Sequence, residues 1–109
     1  MKYNRIKKNE QFNRLFKKGK RVFSRDLTIV YRPSNKLEMG LAVSKKHGGA
    51  VKRNRIKRLI RQAFYNTTDQ FEGTYSVIII PKVCESYSLK QFEQSISSCI
   101  KKVNSCKGK

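Results

Sequence analysis

Tryptophan is absent from this chain of 109 residues, proline appears twice and histidine once. Acidic residues are scarce: seven, against 26 Lys and Arg. No apolar run exceeds Val77–Pro81, far short of the ~20 residues that a membrane span requires. The Lys-rich N-terminus has no apolar stretch behind it, so no secretory leader is expected. The three cysteines, Cys84, Cys99 and Cys106, form no Cys-x-x-Cys pair, and no second histidine accompanies them. They read as free thiols of a reducing cytosol, neither a zinc site nor a disulfide framework.

Leu, Ile, Val and Phe supply 28 of the 109 residues. Disorder is expected below roughly one-fifth of such residues at high charge, so the chain should fold, as a single domain over residues 1–109 with a short basic tail after about 103. The net charge of +19 opposes folding by self-repulsion. A merely solubilised surface would mix both signs. Here no acidic residue occurs between Met39 and Thr68, where Lys45, Lys46, Lys52, Arg53, Arg55, Lys57, Arg58 and Arg61 lie. A second basic group runs from Lys2 to Arg25. An anionic polymer, nucleic acid before membrane, is the expected partner.

Periodicity places the elements. Phe12, Leu15 and Phe16 fall on one face of a helix over residues 9–18, with Asn9 as candidate N-cap and Gly19 as candidate stop. Residues 27–32 are β-branched and aromatic, a strand; Met39–Ser44 reads as a second strand antiparallel to it. Residues 74–81 form a strand apolar enough to be buried on both faces. Leu89, Phe92, Ile96, Ile100 and Val103 mark a helix over 88–103, with Ser88 and Gln91 as a weak capping box.

The helix from about Ala50 to Asn66 is the informative element. Ile56, Leu59, Ile60, Ala63 and Phe64 share one arc, while Asn54, Arg55, Lys57, Arg58, Arg61 and Gln62 fill the other. A solvated face normally pairs Glu with Lys at i,i+4. This one has no acid, so Lys57 and Arg61 repel each other unless phosphate lies between them. Arginine can also fork two phosphate oxygens. The preceding Ser44–Gly49 loop brings backbone amides to a helix N-terminus, a setting that favours phosphate, although a plain turn explains its glycines equally well.

The block from Ser44 to Phe64, centred on Arg53-Asn54-Arg55 and followed by Ile-Lys-Arg-Leu-Ile-Arg, resembles the signature of the protein subunit of bacterial ribonuclease P. Arg5 to Phe12, Phe16, Gly19, Arg25 and the Ser76–Pro81 strand extend the resemblance over roughly residues 3 to 103. It implies an α+β fold of order αβββαβα, similar to a domain of a small-subunit ribosomal protein, with helices packed on a four-stranded sheet. It also implies a left-handed βαβ crossover, against the general rule that such crossovers are right-handed in about 98 % of cases.

The implied activity is removal of the 5′ leader from precursor tRNA. A catalytic RNA subunit with Mg²⁺ carries the chemistry; the protein binds no cofactor itself and raises affinity for substrate and Mg²⁺. The composition suits that division. One histidine and no acidic cluster offer neither an Mg²⁺ site nor the acid–base pair of a protein-only nuclease. No catalytic or metal-ligating residue is therefore assigned, and no membrane or protein partner.

By position, the resemblance carries RNA-subunit contacts onto Lys45, Lys46, Lys52, Arg53, Asn54, Arg55, Lys57, Arg58 and Arg61. It carries 5′-leader contacts onto Phe12, Phe16, Thr28, Val30, Lys57 and Arg61. Two aromatics at i,i+4 ordinarily face a core; the resemblance makes them a groove wall able to meet an unpaired strand. A one-residue slip of the strand would substitute Ile29 and Tyr31 for Thr28 and Val30. The family usually has an apolar residue, Gly and Asn where this chain has His47, Gly48 and Gly49, so the Asn cap of the helix is lost here. His47 is open to three readings: a buried structural side chain, an RNA contact or an exposed residue.

Two other readings compete. A small basic ribosomal-type protein would share the size, charge and basic helix. A DNA-binding regulator would need two adjacent helices as a helix-turn-helix, whereas strands flank the basic helix here.

Overall fold

The structure, a computed structural model, describes residues 3–83 and 86–105. Its elements are β1 (Asn4–Arg5), α1 (Asn9–Lys18), β2 (Lys20–Phe23), β3 (Leu27–Pro33), β4 (Glu38–Leu41), α2 (Ala50–Thr67), β5 (Tyr75–Pro81) and α3 (Leu89–Ser105). Short 3₁₀ turns occupy Lys45–His47 and Thr68–Gln70. The three helices fall where periodicity puts them. Their ends differ in detail. Lys8, not Asn9, is the N-cap of α1, and no side chain caps it. Gly19 ends α1 without a left-handed turn: its backbone is extended (φ −69°, ψ 157°), and its N–H donates to Leu15 O at 2.7 Å. Glycine is needed there for space, because a Cβ would stand 2.6 Å from Val30 Cγ1. Ser88 Oγ accepts the Gln91 N–H at 3.2 Å at the start of α3.

The sheet has five strands in the order β1-β4-β5-β3-β2, one more than the four implied by resemblance. The extra strand is β1, two residues parallel to β4, with Asn4 opposite Glu38 and Arg5 opposite Met39. So short a segment has no periodicity to read. β4 also corrects an expectation. It runs opposite to β3 but does not pair with it: its neighbours are β1 and β5, and it is parallel to both. β5 enters between the two strands that are adjacent in sequence and pairs antiparallel with β3. Strand 74–81 takes the central place because its apolar run can be covered on both faces. Adjacent parallel strands need a crossover, and α2 supplies it between β4 and β5. β4 ends at Leu41, and the chain then turns through Ser44 into the 3₁₀ turn rather than continuing as a strand to Ser44.

The pleat sorts residues onto two faces. Leu27, Ile29, Tyr31, Met39, Val77 and Ile79 form one core with Ile56, Ile60 and Phe64 of α2 and Phe92, Ile96 and Ile100 of α3. Val30 and Ile78 face the other way and pack under Leu15 of α1. The strand phase is thereby decided: Thr28 and Val30 share the α1 face, while Ile29 and Tyr31 are buried in the opposite core. Cys99 is buried in that same core, and burial pushes its thiol pKa up. Cys84 and Cys106 lie outside the described residues.

Candidate nucleic-acid interface

α2 follows Gly49, its N-cap, which offers no side chain to the helix; the first helical bond runs from Arg53 N–H to Gly49 O at 2.9 Å. The family's missing Asn cap does not prevent the helix from starting. Ile56, Ile60, Ala63 and Phe64 bury one face, and that fixes the direction of the basic residues. They fall into two groups, with Arg53 in neither. Asn54, Lys57, Arg58 and Arg61 line an open basin of about 570 Å³ together with Tyr3, Arg5 and Tyr65. β1 delivers Arg5 to this basin, a cation that α2 alone did not reveal. Burial raises the Tyr3 pKa, against the opposing pull of Arg61 and Arg5, so its hydroxyl stays a proton donor beside them. Lys52 and Arg55 lie on the other flank of α2, beside Leu59, Val51 and Tyr87, with the Lys52 ammonium 5.8 Å from the Tyr87 ring centroid. Arg53 is half-buried, and its Nε is buried without a hydrogen-bond partner.

The loop before α2 is held by His47, which is 6 % exposed. Its Nε2–H donates to Pro81 O at 2.8 Å. Nδ1 then accepts, and the Ser44 N–H reaches it at 3.1 Å. Of the three readings, the structural one holds: the imidazole ties the turn to the end of β5. Gly48 follows at φ 120°, a conformation that side chains disfavour. Lys45 and Lys46 project exposed from the turn.

A separate surface lies across the sheet. The Phe12 ring covers Gly40, where a Cβ would stand 3.1 Å from it. Phe12 and Phe16 stack with centroids 6.4 Å apart and planes 17° apart. Phe16 is 36 % exposed. The Arg21 guanidinium sits 4.9 Å over its ring and donates from Nη2 to Phe16 O at 3.0 Å. Beside this wall, Phe23, Thr28 and Ile80 pair in one register row across β2, β3 and β5, and Ala42 adjoins it. Thr28, Ile80 and Ala42 are half-buried and Phe23 is exposed, so the row forms an open floor.

The six leader residues carried over by resemblance are therefore not brought together. Phe12, Phe16 and Thr28 line this groove. Val30 shares its face but is 0 % exposed beneath α1, so it supports the groove without lining it. Lys57 and Arg61 line the basin instead, because α2 packs on the opposite face of the sheet from α1. Sequence reasoning missed Arg21, Phe23, Ala42 and Ile80. The signal for Phe23 was available: a hairpin over Lys20–Pro33 sets it opposite Thr28. That for Ile80 and Ala42 was not, since it depends on β5 entering the centre.

Among the described residues, no three His, Cys, Asp or Glu side chains gather where a metal could be held. Among them, too, no helix is long and apolar enough to cross a membrane.

Comparison with known proteins joins this geometry to a family. The family model described as Ribonuclease P matches residues 1–104. The ribonuclease P protein component of Bacillus pumilus is 39 % identical over 105 residues, covering 93 % of this chain and 88 % of that protein. That of Listeria welshimeri is 46 % identical over 81 residues, covering 72 % and 68 %. The solved RNase P protein of Staphylococcus aureus superposes with a TM-score of 0.78 at 32 % identity, over 91 % of this chain and 94 % of that one. The Thermotoga maritima RNase P protein has a TM-score of 0.80 at 21 % identity, over 91 % and 96 %, a likeness of fold. The match along almost the whole chain shows that it belongs to the ribonuclease P protein component family, the accessory protein subunits of the endoribonuclease that matures tRNA 5′ ends.

Proposed function

We propose that two surfaces of this subunit divide the RNA between them. The basin of α2 and the lysine turn before it dock on the catalytic RNA subunit, and the groove beside α1 holds the single-stranded 5′ leader of precursor tRNA. The observation that carries this reading is the placement of the two surfaces on opposite faces of one sheet. A basin of several cations with no acid on its helix suits a folded phosphate backbone. A narrow floor with a stacked aromatic wall suits unpaired bases.

In this reading Mg²⁺ and the bond cleavage belong to the RNA subunit, and the protein contributes affinity for the leader and, through assembly, for Mg²⁺. Its place of action is the cytoplasm, where precursor tRNA is processed, and no protein partner is required. Reconstitution with the RNA subunit at near-physiological Mg²⁺ tests it. Adding the protein should increase cleavage of precursor tRNA, and protein alone should cleave nothing. No increase at low Mg²⁺ would leave a plain RNA-binding protein in its place.

A further inference from the structure

α1 crosses the sheet over a single row of residues, Gly40, Ile78 and Val30. It leaves a strip of the same face open on either side. One strip is the aromatic groove. The other begins at Glu38, Ser76 and Arg32, which pair in register across β4, β5 and β3.

Glu38 is the informative residue. In a chain of 26 cations its carboxylate side chain is only 10 % exposed. Oε1 is fully used: it accepts from Gln11 Nε2 at 2.8 Å and from Ser76 Oγ at 2.9 Å. The first bond fastens α1 to the sheet, and the second ties β5 to β4. Oε2 is different. Its neighbour is Lys36 Nζ at 3.9 Å, beyond hydrogen-bond distance, and that lysine is 62 % exposed. Oε2 accepts no hydrogen bond among the described residues, although a carboxylate oxygen has room for two. A cleft of about 380 Å³, lined by both groups with Arg14 and Arg32, adjoins it. That volume falls within the range of small-ligand sites.

We propose that this second strip takes an unpaired nucleotide, its phosphate held by Arg14 and Arg32 and its exocyclic amino group donated to Glu38 Oε2. The proposal rests on the reading of the protein as an RNA-binding subunit, but it concerns neither the basin nor the leader groove. Cations alone would attract any phosphate. A carboxylate oxygen left open to the cleft among them repels phosphate and welcomes an N–H, so the phosphate stays at the rim and the base enters. Adenine, cytosine and guanine each bring an amino group. Uracil brings carbonyl oxygens on both sides of its single N–H, and these face the carboxylate unfavourably.

CMP and UMP carry the same phosphate and sugar and differ at this point of the ring, amino against carbonyl. Titrating each into the ¹⁵N-labelled full chain, with NMR detection, tests the proposal. The Gln11 side-chain amide and the Ser76 backbone amide should shift, with CMP binding at least about fivefold tighter than UMP. Glu38→Gln keeps an acceptor for Gln11 and Ser76 and turns an NH₂ toward the cleft, so the preference should invert toward UMP. Arg14→Ala should weaken both nucleotides alike and leave their ratio unchanged. Equal affinities at these resonances, or shifts confined to Lys57–Arg61, would overturn the proposal. Should Glu38→Gln fail to fold, the wild-type ratio and Arg14→Ala still decide. Reconstituted cleavage at low Mg²⁺ reads the basin and groove independently, so either assignment can fail without the other.

Discussion

Phe16 shows how one side chain's exposure selects between roles. Its ring lies flat against Phe12 and under Arg21, yet more than a third of it meets solvent. Phe16→Ala should therefore weaken binding of leader-bearing tRNA by about 1–3 kcal/mol, the worth of one stacked base. Mature tRNA and the RNA subunit should bind as before. The melting temperature, measured on the same samples, should barely move; a loss of about 3–5 kcal/mol would instead mark a core residue. Arg61→Ala, in the basin, should do the reverse and weaken assembly with the RNA subunit. Gly19 carries the opposite lesson, since its exposed position in sequence hides a crowded one in space. Gly19→Ala sets a Cβ against Val30 and the Leu15 carbonyl. Overpacking of this kind costs about 1–3 kcal/mol, which thermal unfolding should register even though a glycine-to-alanine change elsewhere often stabilises.

Among the elements, the turn before α2 depends on one imidazole. His47→Ala removes the donor to Pro81 O and the acceptor of the Ser44 N–H, leaving groups whose desolvation costs about 1–3 kcal/mol each. Faster hydrogen exchange across Ser44–Gly49 and weaker assembly with the RNA subunit should follow, with leader affinity retained. A mutant turn as protected as the wild type would show that Gly48 and the backbone suffice. The helices were legible in the sequence because each buries a periodic stripe: Leu89 through Val103 of α3 is the clearest, and Ile56 through Phe64 of α2 also gave away its basic face. The sheet was legible in its strands and not in its order. Pairing Met39–Ser44 with its neighbour in sequence was a reasonable local guess, and β5 displaced it because only β5 has two apolar faces to bury. Lys57 and Arg61 could be put on the groove only while α2's side of the sheet was unknown, and Val30 only while its cover by α1 was. β1, at two residues, left no pattern at all.

At the scale of the whole molecule, charge governs assembly. A net +19 on a chain of this size makes RNA binding largely a matter of counterion release. With six to ten phosphate contacts, affinity for the RNA subunit should fall about 10³–10⁵-fold between 50 and 200 mM salt. A nearly flat salt curve would mean that the basin is not the interface. The central position of β5 has a different consequence, one that concerns synthesis. Until residues 75–81 leave the ribosome, the nascent chain owns only a β2–β3 hairpin and the short β1–β4 pair, which pair with β5 and not with each other. A lone hairpin is marginal in water. A fragment ending at residue 70 should accordingly give no cooperative transition in calorimetry, for all that it contains four of the five strands and two of the three helices. The keystone of this sheet is made after its other four strands, so the sheet is acquired at a stroke rather than strand by strand.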